Sequence, residues 1–267
     1  MEGGTDPIFI WYQLFHEYNS GVIYQDNCLT WLQNCEHTFD ATITDPPYSS
    51  GGLHIGARNQ PSNIKYSQTE KLPEFLGDNK DQRAFKSWLT EIYSLIYAKT
   101  RCGGYMISFC DWRQLPIMTD ILQWSGWLWR GIAVWTKPKH KSRPSKGGFW
   151  NSQEFIVWGV KGGVTESVCL PGWFLCEAPT DRRHVTEKPL ELLEQLCRIV
   201  PPGSTVFDPF MGSGTTGVAA LALGHNFVGV ELDEYYFNVA DERLKNVEAG
   251  CLMDAPMDQL DLFQTNT

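Results

Sequence analysis

At 267 residues, 42% of them hydrophobic and 20% charged, the chain has the size and composition of one large α/β domain, or of a domain with an inserted lobe. No apolar run approaches the roughly 20 residues of a membrane span, and Met1–Asp6 lacks the basic end and apolar core of a secretory leader. A net charge of −9 argues against non-specific polyanion binding by the molecule as a whole, and eight scattered cysteines without a Cys-x-x-Cys pair argue against zinc or a disulfide framework.

In chain order, residues 1–20 read as an N-terminal arm, with Ile8–Tyr12 a strand or packing segment. Phe39–Thr44 reads as a buried strand, and Ser49–Asp81, rich in Gly, Ser, Asn and Pro, as a long mobile loop. Gln82–Thr100 spaces Phe85, Trp88, Leu89, Ile92, Leu95 and Ile96 as one helix face. Gly104–Cys110 follows as a strand, Leu115–Trp124 as a short helix, and Trp127–Trp135 and Glu154–Val160 as strands. Lys188–Val200 is expected to be a helix with Pro189 in its first turn. Strand Thr205–Asp208, helix Thr215–Leu223, strand Phe227–Glu231 and helix Glu234–Val247 complete the series. Alternation of this kind predicts a doubly wound, mostly parallel α/β sheet. Residues 249–267 read as a flexible acidic tail.

Charge is unevenly placed. Between Arg130 and Lys161, seven basic residues face one acid, Glu154, whereas nine acids from Glu231 onward face only Arg243 and Lys245. A basic segment in an acidic chain points to a local polyanion site.

Two stretches carry chemistry. After the first strand comes Asp45-Pro-Pro-Tyr48, where two prolines stiffen the turn more than a plain reversal needs. Near the C-terminus, Phe207-Asp-Pro-Phe-Met-Gly-Ser-Gly-Thr215 is a strand, an acid, a glycine turn and a helix start. Gly212-x-Gly214-x-x-Gly217, with Glu231 at the next strand tip, fits a dinucleotide fingerprint. No lysine follows the glycines, which disfavours a P-loop. A carboxylate at Asp208 would repel a pyrophosphate and suit a cofactor bearing a positive amine or sulfonium. That favours S-adenosylmethionine, with a nicotinamide dinucleotide the competing ligand.

Together the two stretches resemble the amino-methylating DNA methyltransferases of the adenine-N6 and cytosine-N4 kind. Asn27-Cys-Leu29 is similar to the family's Asp-Cys-Leu segment, His184-Val-Thr-Glu-Lys-Pro189 to its His-Pro-Thr-Glu-Lys-Pro segment, and Gly229-Val-Glu-Leu-Asp233 to its ribose-binding strand. The tyrosine motif precedes the glycine loop, the family's permuted β-type order. The resemblance implies a Rossmann-like methyltransferase fold with catalytic parts at 21–125 and 182–248, and a target-recognition insert at 126–181. It implies catalytic roles for Asp45, Pro46, Pro47 and Tyr48. Asp45 and the Pro46 carbonyl would hold the target amine, and Tyr48 would stack on a flipped base. It implies S-adenosylmethionine contacts from Asn27, Cys28, Asp45, His184, Thr186, Lys188, Asp208, Phe210, Gly212, Ser213, Gly214, Thr215 and Glu231. No metal and no catalytic cysteine are required. The expected partner is double-stranded DNA, with Lys137, Lys139, Lys141, Arg143 and Lys146 as contacts. Aspartate at the start of the motif favours adenine-N6 over cytosine-N4, where serine is commoner. Gln259-Leu-Asp-Leu-Phe263 is similar to the peptide by which bacterial replication proteins bind the sliding clamp, through Gln259, Leu260, Leu262 and Phe263. A homodimer stays open, and the implied location is the cytoplasm, at the nucleoid.

Overall fold

Five of the six residues of Phe39–Thr44 are buried, as a central strand requires, and the rest of the fold is laid out around it. The computed structural model describes residues 14–48, 81–138, 147–163, 168–179 and 187–250. These form nine strands and six helices: β1 (Leu14–Tyr18), β2 (Gly21–Gln25), α1 (Cys28–Asn34), β3 (Phe39–Thr44), α2 (Gln82–Lys99), β4 (Thr100–Cys110), α3 (Leu115–Trp124), β5 (Leu128–Thr136), β6 (Gln153–Val160), β7 (Trp173–Leu175), α4 (Leu190–Cys197), β8 (Thr205–Asp208), α5 (Thr215–Ala222), β9 (Asn226–Glu231) and α6 (Glu234–Glu248).

The strands make one sheet in the order β1-β2-β9-β8-β3-β4-β6-β5-β7. β2, β9, β8, β3 and β4 run parallel, while β6 lies antiparallel to both β4 and β5. Helices cover both faces. Side chains of α4, α5 and α6 pack with Ala41, Ile43, Val206 and Phe227 on one side. Those of α1, α2 and α3 pack with Phe39, Met106, Phe207 and Val228 on the other. The split follows the two-residue alternation of side chains along the strands, except in β3, where a register shift between Phe39 and Ala41 turns Phe39 to the second face. On the second face Phe39 stacks on Phe207 at 4.1 Å between ring centroids, and Trp31 stacks on Phe207 at 5.5 Å. Each aromatic pair contributes about 1 kcal/mol beyond the area it buries.

The doubly wound sheet matches the expectation, and the structure adds four details. Leu14–Tyr18, placed with the arm, is an edge strand paired antiparallel with β2. The hairpin β1–β2, helix α1 and the three-residue β7 carry too short a pattern to read. β5, β6 and β7 come from the segment expected to hold the insert, and β6 pairs with β4 from Tyr105↔Val160 to Cys110↔Phe155, extending the same sheet. Finally, α4 starts at Leu190, with Pro189 as its N-cap at ψ 134°, so Lys188 lies in the connecting chain ahead of the helix. Ile8–Tyr12, residues 49–80 of the expected loop and the tail beyond residue 250 lie outside the described residues.

The topology dictates where a ligand can sit. From β3 the chain crosses by α2 to β4 on one side; from β8 it crosses by α5 to β9 on the other. Neighbours that depart in opposite directions leave a crevice beyond their carboxyl ends. Asp45 follows the end of β3, and Asp208 ends β8.

Candidate active site

One hydrogen bond joins the two sequence motifs. Thr44 Oγ1 donates to Asp208 Oδ1 at 2.8 Å, across the crevice between β3 and β8. Asp208 is 2% exposed. It also accepts from Thr216 Oγ1 at 2.7 Å and from the Phe210 amide at 3.1 Å. Its carboxylate therefore ties the tyrosine corner, the glycine loop and α5 together. Sequence reasoning aimed this group at the cofactor; the structure engages both of its oxygens with protein donors.

The glycine loop is laced to β9. The Gly212 amide donates to Glu231 Oε2 at 2.8 Å, the Asp233 amide to Glu231 Oε1 at 2.9 Å, and the Met211 amide to the Val230 carbonyl at 3.1 Å. Arg243, from α6, closes the loop from behind: it donates to the Ser213 carbonyl at 2.7 Å and to Thr215 Oγ1 at 2.9 Å, and pairs with Glu187 at 3.1 Å. Asn27 caps α1, its Oδ1 accepting from the Leu29 amide at 3.0 Å. The register Gln25↔Glu231 places Asn27 and Cys28, just beyond the end of β2, beside the end of the strand that carries Glu231. Phe210 packs on Trp88 at 5.5 Å between centroids.

Burial pushes both Asp208 and Glu231 up to about 7, ahead of the hydrogen bonds that lower them. A folded state that keeps a proton which the unfolded carboxyl releases near pH 4 gains stability at low pH. That gain is complete below about pH 4 and lost as pH rises through about 7. The thermal midpoint of the cofactor-free protein should therefore fall between pH 6 and pH 8. Asp208→Asn, less stable throughout, should show a smaller fall; an unchanged slope in calorimetric melts would contradict this.

At the tyrosine corner, Pro46 is buried and Asp45, Pro47 and Tyr48 are half-buried. The Tyr48 hydroxyl donates to Asp45 Oδ1, and Lys188 Nζ donates to Asp45 Oδ2. Lys188 also lies 3.3 Å from Glu154 Oε2, and Lys137 donates to Glu154 Oε1 at 2.5 Å. A row of alternating charge, Asp45–Lys188–Glu154–Lys137, thus runs from the crevice along β6. Burial raises the Asp45 carboxyl, with Lys188 acting against it. Burial presses Lys188 down, but Asp45 and Glu154 outweigh it and hold the ammonium above its ordinary value. Burial likewise raises Glu154, and Lys188 with Lys137 brings it below the usual range.

The structure thus brings Asn27, Cys28, Asp45–Tyr48, Lys188, Asp208, Phe210–Thr215 and Glu231 to one sheet edge. Lys137, grouped with the phosphate contacts in the sequence reading, is directed inward onto Glu154 and over the Trp135 ring, 4.7 Å from its centroid. His184, Thr186, Lys139, Lys141, Arg143, Lys146, Gln259, Leu260, Leu262 and Phe263 lie outside the described residues. Glu154 and Arg243 were not foreseen. Glu154 had a signal, as the lone acid of the basic segment; Arg243 sits in an ordinary amphipathic helix and had none. Among the described residues no cluster of histidine, cysteine and carboxylate side chains could hold a metal ion, and no helix is long and apolar enough to cross a membrane.

A family model described as DNA methylase, of the N6/N4 type, matches residues 39–170 and 170–242. The chain belongs to this family. A type II methyltransferase of Moraxella bovis, M2.MboI, is 24% identical over 257 residues, 84% of this chain and 88% of that protein. The crystal structure of the M1.HpyAVI–S-adenosylmethionine complex superposes with a TM-score of 0.61 at 26% identity, covering 83% of this chain and 98% of that one. The cytosine-N4-specific PvuII DNA methyltransferase gives a TM-score of 0.65 over 84% of this chain and 86% of its own, at 15% identity, a likeness of fold. This DNA amino-methyltransferase uses S-adenosylmethionine, and the residues of the crevice fit that cofactor. The glycine loop and the Glu231 carboxylate stand together at one wall, and the carboxylates of Asp45, Asp208 and Glu231 at this sheet edge suit its positive charge.

Proposed function

We propose that this methyltransferase moves the methyl group of S-adenosylmethionine to the exocyclic N6 amine of an adenine turned out of duplex DNA. The observation that supports the reading most is the Thr44–Asp208 hydrogen bond, which sets the tyrosine corner against the glycine loop in one crevice. Gly212, Ser213, Gly214 and Thr215 cradle the cofactor, Glu231 takes its ribose hydroxyls, and Asn27, Cys28 and Phe210 flank it. Asp208 acts from behind, holding both walls in register.

The amine of adenine is a poor nucleophile because its lone pair is delocalised into the ring. Acceptors at Asp45 and the Pro46 carbonyl hold the N–H hydrogens and draw the nitrogen towards tetrahedral geometry. The nitrogen lone pair then forms the new N–C bond, the C–S pair departs with sulfur, and Asp45 accepts the proton the nitrogen releases. Pro46 and Pro47 keep the acceptors fixed, so little reorganisation is needed. Tyr48 stacks on the base in place of its lost duplex neighbours. The loop at 139–146, with Lys139, Lys141, Arg143 and Lys146, contacts the phosphates and base edges. It joins β5 to β6, whose Thr136↔Gln153 end lies at the crevice edge of the sheet.

Incubation with methyl-labelled S-adenosylmethionine and unmethylated genomic DNA, followed by digestion to nucleosides, should place the label in N6-methyladenine. Label in N4-methylcytosine would overturn the choice of base, and unlabelled DNA the whole reading.

A further inference from the structure

Both oxygens of the acceptor carboxylate already hold a protein donor. Asp45 Oδ1 is taken by the Tyr48 hydroxyl and Oδ2 by the Lys188 ammonium. A neutral amine that takes the position of the ammonium on Oδ2 does so at least cost where the ammonium keeps a second carboxylate. Glu154 is that second carboxylate. Lys137 pins its Oε1 at 2.5 Å, and its other oxygen, Oε2, is buried and receives no hydrogen bond. Lys188 Nζ lies 3.3 Å from that oxygen, an ion contact without the alignment of a hydrogen bond. Closing the gap to an ordinary charge-assisted bond takes a movement of about 0.5 Å.

We propose that Lys188 is a two-position gate on the acceptor carboxylate. It sits on Asp45 while the base pocket is empty and transfers to Glu154 Oε2 when the target amine takes its place. The inference rests on the methyl-transfer reading and adds a positioning residue to it, Glu154, which touches neither base nor cofactor. The gate keeps two carboxylates and one ammonium matched in both positions, so neither state leaves a buried charge unpaired. Among the described residues, the charged and titratable groups around the ammonium are Asp45, Glu154, Lys137, Tyr48 and Cys110, and the rings of Tyr48 and Phe109 stand 5.5 and 5.2 Å away. A ligand that binds the open state better shifts the population towards it.

The test is a pair of variants assayed at saturating S-adenosylmethionine with unmethylated genomic DNA. Glu154→Gln removes the receiving charge and leaves Lys188 locked on Asp45. Its kcat should fall at least tenfold, while its affinity for S-adenosylmethionine, by titration calorimetry, stays within threefold of wild type. Adding Lys188→Met to Glu154→Gln removes the lock and should raise kcat again, a rescue that damaged packing would not give. Should Glu154→Gln fail to bind cofactor through misfolding, Glu154→Asp keeps the charge but draws the oxygen back by one methylene, and should show the same loss in milder form. A Glu154→Gln enzyme as fast as wild type, or a double variant no faster than Glu154→Gln, overturns the gate while methyl transfer by the wild type stands. A wild type that transfers nothing overturns both.

Discussion

Asp45→Ala should lower kcat for methyl transfer by about a thousandfold, the scale on which a single preorganised polar group aimed at the reacting centre is felt. The affinity for S-adenosylmethionine should change by less than a few-fold, because the glycine loop is held by Glu231, Val230 and Arg243, none of which touches Asp45. The fold should survive. Removing Asp45 deprives Lys188 of one partner, but Glu154 remains 3.3 Å away and can take the full bond, so the ammonium is not stranded. Asp45→Asn separates charge from shape. Its amide can present an oxygen to the amine, yet it takes no proton from the methylated nitrogen, so its rate should lie between wild type and Asp45→Ala. Single-turnover measurements with labelled cofactor are the decisive reading, since they exclude product release. An Asp45→Ala enzyme within tenfold of wild type would remove Asp45 from the chemistry and leave the proline-stiffened corner as a turn.

How much of this was legible beforehand depended on the range of the signal. The doubly wound sheet came from long periodic segments such as 82–99, whose apolar face is wide enough to read, and from the short β3 and β8, each bounded by turn residues and largely buried. The short elements were lost because five to seven residues cannot distinguish a period of 2 from one of 3.6: β1, β2 and α1 are of that length. In the site, groups supplied by backbone and by local motifs were readable, as with Gly212, Gly214 and Asp45-Pro-Pro-Tyr48. Groups that act by pairing across the sheet were not. Glu154 and Lys188 are far apart in the chain and meet only because β6 pairs antiparallel with β4 and brings its first residues to the crevice edge. The aim of Asp208 was likewise a matter of tertiary structure. A strand-tip acid can face ligand or protein, and only the neighbouring hydroxyls of Thr44 and Thr216 show where its oxygens are engaged.

Gly214→Ala should destabilise the protein and empty the cofactor site together. Gly214 is the N-cap of α5 at φ +78°, in the left-handed region where a side chain adds about 1–2 kcal/mol. A Cβ there would also lie 2.8 Å from the Ala240 Cβ and 3.1 Å from its Cα. Ala240 is fully buried on α6, so neither partner can give way without moving helix or loop, and overpacking of that kind costs about 1–3 kcal/mol more. A total of about 3 kcal/mol corresponds to a midpoint lower by about 8 °C for a protein of this size. The backbone must shift where the Gly212 amide meets Glu231 and the Gly214 amide meets the Met211 carbonyl, so the Kd for S-adenosylmethionine should rise at least tenfold. Gly224→Ala isolates the two causes. Gly224 has nearly the same φ, +74°, but its Cβ would meet nothing within 4 Å. That variant should lose about 1–2 kcal/mol and bind the cofactor as wild type does. If calorimetry instead gave Gly214→Ala the wild-type Kd, the loop would be a helix start packed on α6 and the cofactor would have to lie elsewhere.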